Sequence, residues 1–284
     1  MDRERRAYSF WAKAGFVIYA CLCFLMFVYL LFPYDVLRDR LEYAMQASFG
    51  LDVSLGHVKS RLPLGMAIDN LKIKQEPIAQ DLIVSPSILG FLEGDLKLDF
   101  KSRIDEGRLK GMFATPIRGR GDSVKIVLNF DEVNIERFSK LIPEGSNIKG
   151  ILSGNLSCST SPGALYKASG NVSAVWKNGT MPLFISAFPL NELSFEMLEF
   201  EANMDKGLLV IDKVELSGDI SGTVQGRIRV VQDISKSRLN LSGEAKLPQF
   251  MMSLLNVKQS GSDTGIKFSL GGTASLPRLR LRTR

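Results

Sequence analysis

From Ala14 to Phe32 nineteen residues pass without a charge (AGFVIYACLCFLMFVYLLF). At 1.5 Å per residue a helix of that length covers about the ~30 Å of a bilayer's hydrocarbon layer. The preceding stretch carries Arg3, Arg5, Arg6 and Lys13, so the positive-inside rule places the N-terminus in the cytoplasm and residue 33 onward across the membrane. Phe16, Leu22, Leu25, Phe27 and Leu31 are the expected lipid-facing anchor residues, with Tyr8, Trp11 and Tyr34 at the two interfaces. A cleaved signal peptide is the competing reading. It fits less well, because the run exceeds a usual signal core and is followed by Phe32, Pro33 and Tyr34 instead of a small-residue cleavage site. Cys21, after Ile18, Tyr19 and Ala20, faintly resembles a lipoprotein acceptor, but Tyr19 is bulky and the apolar run continues past it. Cys21 and Cys23 read as buried membrane cysteines.

The translocated part keeps one cysteine, Cys158, so an intramolecular disulfide cannot staple it and a core must hold it. Asn-x-Ser/Thr matches at Asn155, Asn171, Asn178 and Asn240 are short enough to arise by chance. Lys and Arg number 36 against 30 Asp and Glu, a formal +6, and the charges are scattered apart from Arg278, Arg280, Arg282 and Arg284 at the end. Nucleic acid is not the expected partner.

After the anchor, Val36, Leu37, Leu41, Ala44, Met45, Ser48 and Phe49 recur at three- and four-residue spacing, and Gly50 ends the pattern. This predicts an amphipathic helix that packs on the following domain, or alternatively lies along the membrane surface. Beyond Gly50 the apolar period becomes two: Val53 and Leu55; Leu71 and Ile73; Leu96, Leu98 and Phe100; Ile126, Leu128 and Phe130. The same rhythm continues at 172–176, 208–216, 228–230, 239–241 and 266–270, punctuated by Gly, Asn, Asp and Ser. It predicts an all-β domain of about fifteen short antiparallel strands with one apolar and one polar face. Weak glycine–strand–glycine similarity without a fixed period indicates a meander and not a solenoid. Helical spacing at 133–142 and 249–257 predicts two short connecting helices. The run MPLFISAFPL (181–190), bracketed by Pro182 and Pro189, reads as a core loop or as an exposed interaction patch carried by Phe184, Ile185 and Phe188.

Nothing reads as an enzyme active site. Triads and most zinc sites need histidine, and the chain has one, His57, which reads as a turn or surface residue. Gly218, Gly222 and Gly226 sit in β-patterned sequence and read as turn and bulge glycines. Neither a phosphate-binding loop nor a dinucleotide fingerprint occurs. A two-carboxylate hydrolase would not need its acids close in the chain, but scattered Asp and Glu read as solvated strand faces. No catalytic, metal or cofactor-binding residue is expected.

The segment ASFGLDVSLGHVKSRLPLGMAIDNLKI (47–73), an amphipathic helix followed by Gly50-x-x-Val53, a Leu62-Pro63-x-Gly65 turn and a strand with Leu71, resembles the start of AsmA-like proteins. Closer still is the likeness to the type II secretion system protein N family, also called general secretion pathway protein N. Residues 198–230, with Gly218 and Gly222, and FSLGGTASLPRLRL (268–281), with Gly272 and Pro277, resemble the same family. These stretches are a minority of the residues, spread along the whole translocated part. The resemblance implies a Gram-negative inner-membrane protein with a cytoplasmic tail (1–13), a transmembrane helix (14–32), a juxtamembrane helix (33–50) and a periplasmic AsmA-like domain of curved, mainly antiparallel sheet (51–284). It implies a non-enzymatic scaffold or binding module of the type II secretion apparatus, whose partners are the membrane and other secretion-system proteins. The alternative it implies is phospholipid binding or transfer along an apolar β groove. A continuous uncovered apolar face would favour lipid. One closed by the helices near 36–49 and 133–142 would favour a packed scaffold.

Overall fold

The computed structural model describes residues 15–17, 19–20, 23–24, 26–27, 31, 34–49, 52–61, 65–117, 123–141, 147–161, 164–182, 192–218, 220–246 and 265–282. One antiparallel sheet holds the fifteen strands of the described residues: β1 (Val53–Ser54), β2 (Val58–Arg61), β3 (Gly65–Ile73), β4 (Glu76–Pro86), β5 (Asp95–Ile104), β6 (Gly107–Pro116), β7 (Val124–Asn134), β8 (Lys149–Thr160), β9 (Ser169–Pro182), β10 (Glu192–Asp205), β11 (Leu208–Ser217), β12 (Ser221–Arg229), β13 (Arg238–Lys246), β14 (Ile266–Thr273) and β15 (Pro277–Arg282). From β3 onward every strand pairs with its sequence neighbour, while β1 and β2 both pair with β3. The expected meander is therefore what forms. Because β1 and β2 share one place beside β3, the path counts fourteen strands, and at ~4.8 Å per step it runs roughly 60 Å.

Period-two sequence makes such a sheet amphipathic, and local chemistry sets its turns. Lys74 and Gln75 both adopt positive φ (50° and 66°) between β3 and β4, as do Lys206 and Gly207 (46° and 79°) between β10 and β11. That backbone matches the right-handed twist of the strands it joins. The connections after β2, β4, β6, β8, β10, β12 and β14 lie at one end of the strands, and those after β3, β5, β7, β9, β11 and β13 at the other.

Helix α1 (Tyr34–Phe49) forms where a helix is expected and packs against β1 and β2. The Leu55 amide donates to the Glu42 carboxylate at 2.6 Å. Glu42 lies seven residues up the helix from Phe49 and yet touches the chain just past β1, so α1 doubles back along β1 and β2. Helix α2 (Ile88–Glu93) is absent from the sequence reading. Ser87 caps it, its hydroxyl accepting from the Gly90 amide at 3.3 Å, and Gly94 (φ +88°) ends it. Six residues are too few to establish a helical period against a β background.

The helix expected over 133–142 is corrected in two respects. Val133 and Asn134 finish β7, and residues 135–141 form a 3-10 helix in place of an α-helix. Of the expected turn and bulge glycines, Gly218 follows β11, Gly226 (φ +145°) stands opposite Ile211 where the β11–β12 register shifts, and Gly222 lies inside β12. The segment 249–257 falls outside the described residues. Residues 15–17, 19–20, 23–24 and 26–27 are helical, yet among the described residues no helix is long and apolar enough to cross a membrane.

Candidate functional site

Residues that stand opposite each other in paired strands share a face, so the register can be followed across the sheet. Starting at Phe100 in β5, one face runs through Gly111 in β6, Leu128 in β7, Leu156 in β8, Val172 in β9 and Ala202 in β10. It continues through Ile211 in β11, Gly226 in β12, Leu241 in β13, Leu270 in β14 and Leu279 in β15. In the other direction it passes Val84 in β4 and Met66 in β3. No charged side chain interrupts this row. The adjacent rows on the same face are also apolar or small: Leu98, Phe113, Ile126, Cys158 and Gly170 on one side, Ser102, Leu109 and Phe130 on the other. The opposite face carries Lys101, Lys110, Asn129, Asn155, Glu201, Gln225, Asn240 and Arg280.

The side chains of the apolar face are mostly half-buried, and among the described residues no large side chain is completely buried. A sandwich core would bury them fully. Among the described residues three buried clusters occur, one around Ile68 at the first edge of the sheet, one around Phe195 near the start of β10 and one around Ile104 at the end of β5. In the Ile104 cluster, Ala79 of β4, Ile104 of β5 and Val133 of β7 come together, with Phe138 of the 3-10 helix against them. That helix also reaches across to β4. Three strand steps would separate β4 from β7 by about 14 Å on a flat sheet, so the sheet rolls toward its apolar face there. Arg137 fastens the roll with two bonds to the Asp105 carboxylate, at 2.7 and 2.5 Å. The same guanidinium holds the Asp105 carboxyl below its usual range.

Glycines on the apolar face permit the roll. A Cβ on Gly154 would lie 2.2 Å from the Ser173 carbonyl oxygen, and one on Gly170 would lie 2.0 Å from that of Ser157. Neighbouring backbones thus close up on the apolar side. Elsewhere a ring occupies the glycine's space: Phe100 lies over Gly111, and Phe268 over Gly243.

Cys158 is half-buried between Ile126 and Gly170 on this face, and burial pushes its thiol pKa up. Ser102 is the polar exception, a buried hydroxyl with no hydrogen-bond partner among the described residues. The polar face carries an ion-paired group in which Lys213 sits 2.7 Å from Glu199 and 2.8 Å from Glu215. The two carboxylates raise the Lys213 pKa. Among the described residues no cluster of His, Cys, Asp and Glu could hold a metal, and His57 is an exposed residue between β1 and β2.

The positions singled out from sequence fall in three groups. Of the anchor residues, Phe16, Phe27 and Leu31 are exposed, while Leu22 and Leu25 lie outside the described residues. Of the motif residues, Gly65 is buried at the start of β3, where a Cβ would meet the Ser85 hydroxyl at 2.9 Å, and Leu71 packs on the Ile68 cluster. Gly218 (φ +140°) follows β11, Gly222 faces β13, Gly272 (φ +91°) and Pro277 frame the last hairpin, and Leu62 and Pro63 lie outside the described residues. These are backbone roles and not a shared site. The patch residues Phe184, Ile185 and Phe188 also lie outside the described residues. The expected apolar face is present, and the register adds what sequence reasoning did not give, namely which residues of successive strands stand beside one another on it. Comparison with protein-family models, with curated proteins and with solved structures gives no match.

Proposed function

We propose that this chain is a non-enzymatic, membrane-anchored protein that binds lipid acyl chains along the apolar face of its sheet, in the manner of an AsmA-like lipid-binding or lipid-transfer domain. The observation that carries the reading is the uncharged row from Met66 to Leu279, half-buried over most of its length, buried at Ala202 and Ile211, and without a covering layer among the described residues. Helix α1 packs on β1 and β2, and the 3-10 helix lies over the ends of β4, β5, β7 and β8, so among the described residues neither reaches the middle of the face. Burying one methylene contributes about 0.8 kcal/mol, so a chain of a dozen methylenes lying on this surface would gain several kcal/mol after ordering costs. The uncharged run 14–32 supplies the anchor, in a bacterial inner membrane with the sheet in the periplasm. At roughly 60 Å the sheet could hold a lipid or hand one to a partner.

The test is lipid analysis of the full chain purified from membranes in mild detergent, with an unrelated single-span protein as control. Cys158 provides a second readout in a variant with Cys21 and Cys23 replaced by Ser. Stoichiometric phospholipid, together with protection of Cys158 from a thiol reagent that ends on delipidation, is expected. Lipid at the control level and a Cys158 indifferent to delipidation would overturn the reading.

A second reading, a scaffold of the type II secretion apparatus, is supported by the resemblance at 47–73, 198–230 and 268–281. The motif residues described there occupy turns, bends and strand ends, so they speak for a shared fold more than for a shared partner. In-cell crosslinking that recovers secretion-system proteins without lipid would favour this reading over the first.

A further inference from the structure

Helix α2 exposes all four of its large side chains: Ile88 (58%), Leu89 (71%), Phe91 (68%) and Leu92 (76%). A soluble surface rarely gathers so many apolar groups without a purpose. Exposed Leu96 and Ile117 extend the patch, Ile117 being tied to it by its amide bond to the Gly94 carbonyl at 2.9 Å. The fold holds the helix outward. Gly90 is its buried residue, where a Cβ would collide with the Lys97 chain, and Lys97 pairs with Glu93. The helix is thus seated on β5 through its small residue, with its large ones turned to the outside.

The position of the patch indicates what covers it. Helix α2 follows β4, at the strand end that also carries the connections after β2 and β6. Helix α1 runs back along β1 and β2, from the Glu42 contact with Leu55 toward β2, so its first residues point to that same end. The uncharged run 14–32 stops two residues before α1 begins. We propose that the exposed face of α2, with Leu96 and Ile117, is a second membrane contact, a foot that inserts into the outer leaflet of the bilayer in which residues 14–32 are anchored. The proposal rests on the anchor reading given above. The foot fixes the tilt of the first strands against the membrane, and it sets the β3–β6 end of the apolar face beside the lipid.

Full-length protein in vesicles of phosphatidylethanolamine and phosphatidylglycerol (3:1) tests this, with the native cysteines replaced by Ser and one nitrobenzoxadiazole label at Leu89→Cys, Phe24→Cys or Glu106→Cys. Glu106 is exposed at the opposite end of β5. Brominated lipid should quench the labels at 24 and 89 at least twofold and leave 106 unchanged, while aqueous iodide should quench only 106. Quenching by bromine at 24 with iodide quenching at 89 would overturn the foot and leave the anchor standing. A label at 89 shielded from both quenchers would mean a protein contact and would also overturn it. Bromine quenching at 89 without quenching at 24 would support the foot and refute the anchor.

Discussion

If the sheet is rolled toward its apolar face, two glycines on that face should respond differently to the same added methyl. Replacing either residue by Ala removes the unfolded-state freedom that makes a strand-interior glycine unfavourable, a gain of about 0.5–1 kcal/mol. At Gly111 the methyl meets only the outer carbons of the Phe100 ring, which can swing away, so Gly111→Ala should be close to neutral. At Gly154 the methyl meets the Ser173 carbonyl oxygen at 2.2 Å and the Ala174 Cα at 2.7 Å, both backbone in the middle of the sheet. Only the strand can yield, and overpacking of that kind costs about 1–3 kcal/mol. Gly154→Ala should therefore lose roughly 1–2 kcal/mol net. Each strand pairs only with its neighbours, so the loss should stay local, as in other one-dimensional architectures. Hydrogen exchange of the full chain in nanodiscs should show β7, β8 and β9 exchanging about five- to thirtyfold faster in Gly154→Ala, with β12–β14 unchanged. Equal protection in the two variants, or faster exchange spread over the whole sheet, would refute the rolled-sheet account.

Other parts of the molecule give sharp outcomes too. Leu25→Arg with Phe27→Arg should remove the chain from the membrane fraction, each arginine costing about 2.5–3.5 kcal/mol at a helix centre, and an unchanged fraction would end the anchor assignment. Ser102→Ala deletes a buried hydroxyl without a partner among the described residues, so it should leave stability unchanged or raise it by about 1 kcal/mol in chemical denaturation. The Asp105 pKa is depressed in the fold, so its bond to Arg137 contributes stability above the ordinary carboxylate range and loses it as pH falls through the folded value; exchange of residues 135–141 should accelerate only below about pH 4, and Arg137→Ala should abolish that step. Lys101 and Lys110 stand directly opposite each other on the polar face, so Lys110→Glu should raise the denaturation midpoint at low ionic strength, and the gain should vanish in 1 M salt.

Much of this fold was legible because period-two sequence leaves few alternatives. Phe100, Leu128 and Leu241 each stand in a strand where alternation places them. The strand ends were less legible. The β3–β4 turn is built on Lys74 and Gln75, a pair without the Asn-Gly or Asp-Gly chemistry that announces such turns, so the sheet imposes the backbone on the side chains. Helix α2 was missed because SILGFLEG is too short to show a period, although its Ser87 cap and its closing Gly94 were visible signals. The apolar face as a candidate site was only half legible. Composition reveals that each strand has an apolar side, but pairing register decides that those sides coincide.

That coincidence had to survive places where the alternation itself breaks. In β7 the apolar residues run Ile126, Leu128, Phe130 and then Val133, a step of three that would send Val133 to the polar face. A register shift between Phe130 and Val133 absorbs the extra residue, Glu132 takes φ +51°, and the Glu132 amide donates to the Ser153 hydroxyl at 2.9 Å. In β11 the step from Ile211 to Val214 is likewise absorbed by a shift against β12. A bulge increases local twist and bends its strand, so these slips keep the apolar row continuous and also help to roll the sheet around it. A three-residue step between apolar positions in an otherwise alternating strand is therefore a readable mark of curvature. Deleting Glu132 should restore strict alternation in β7, flatten the sheet there and detach the 3-10 helix from β4. Loss of exchange protection at Phe138 with protection of β12–β14 retained is the expected result, and full protection at Phe138 would show that the roll does not depend on the bulge.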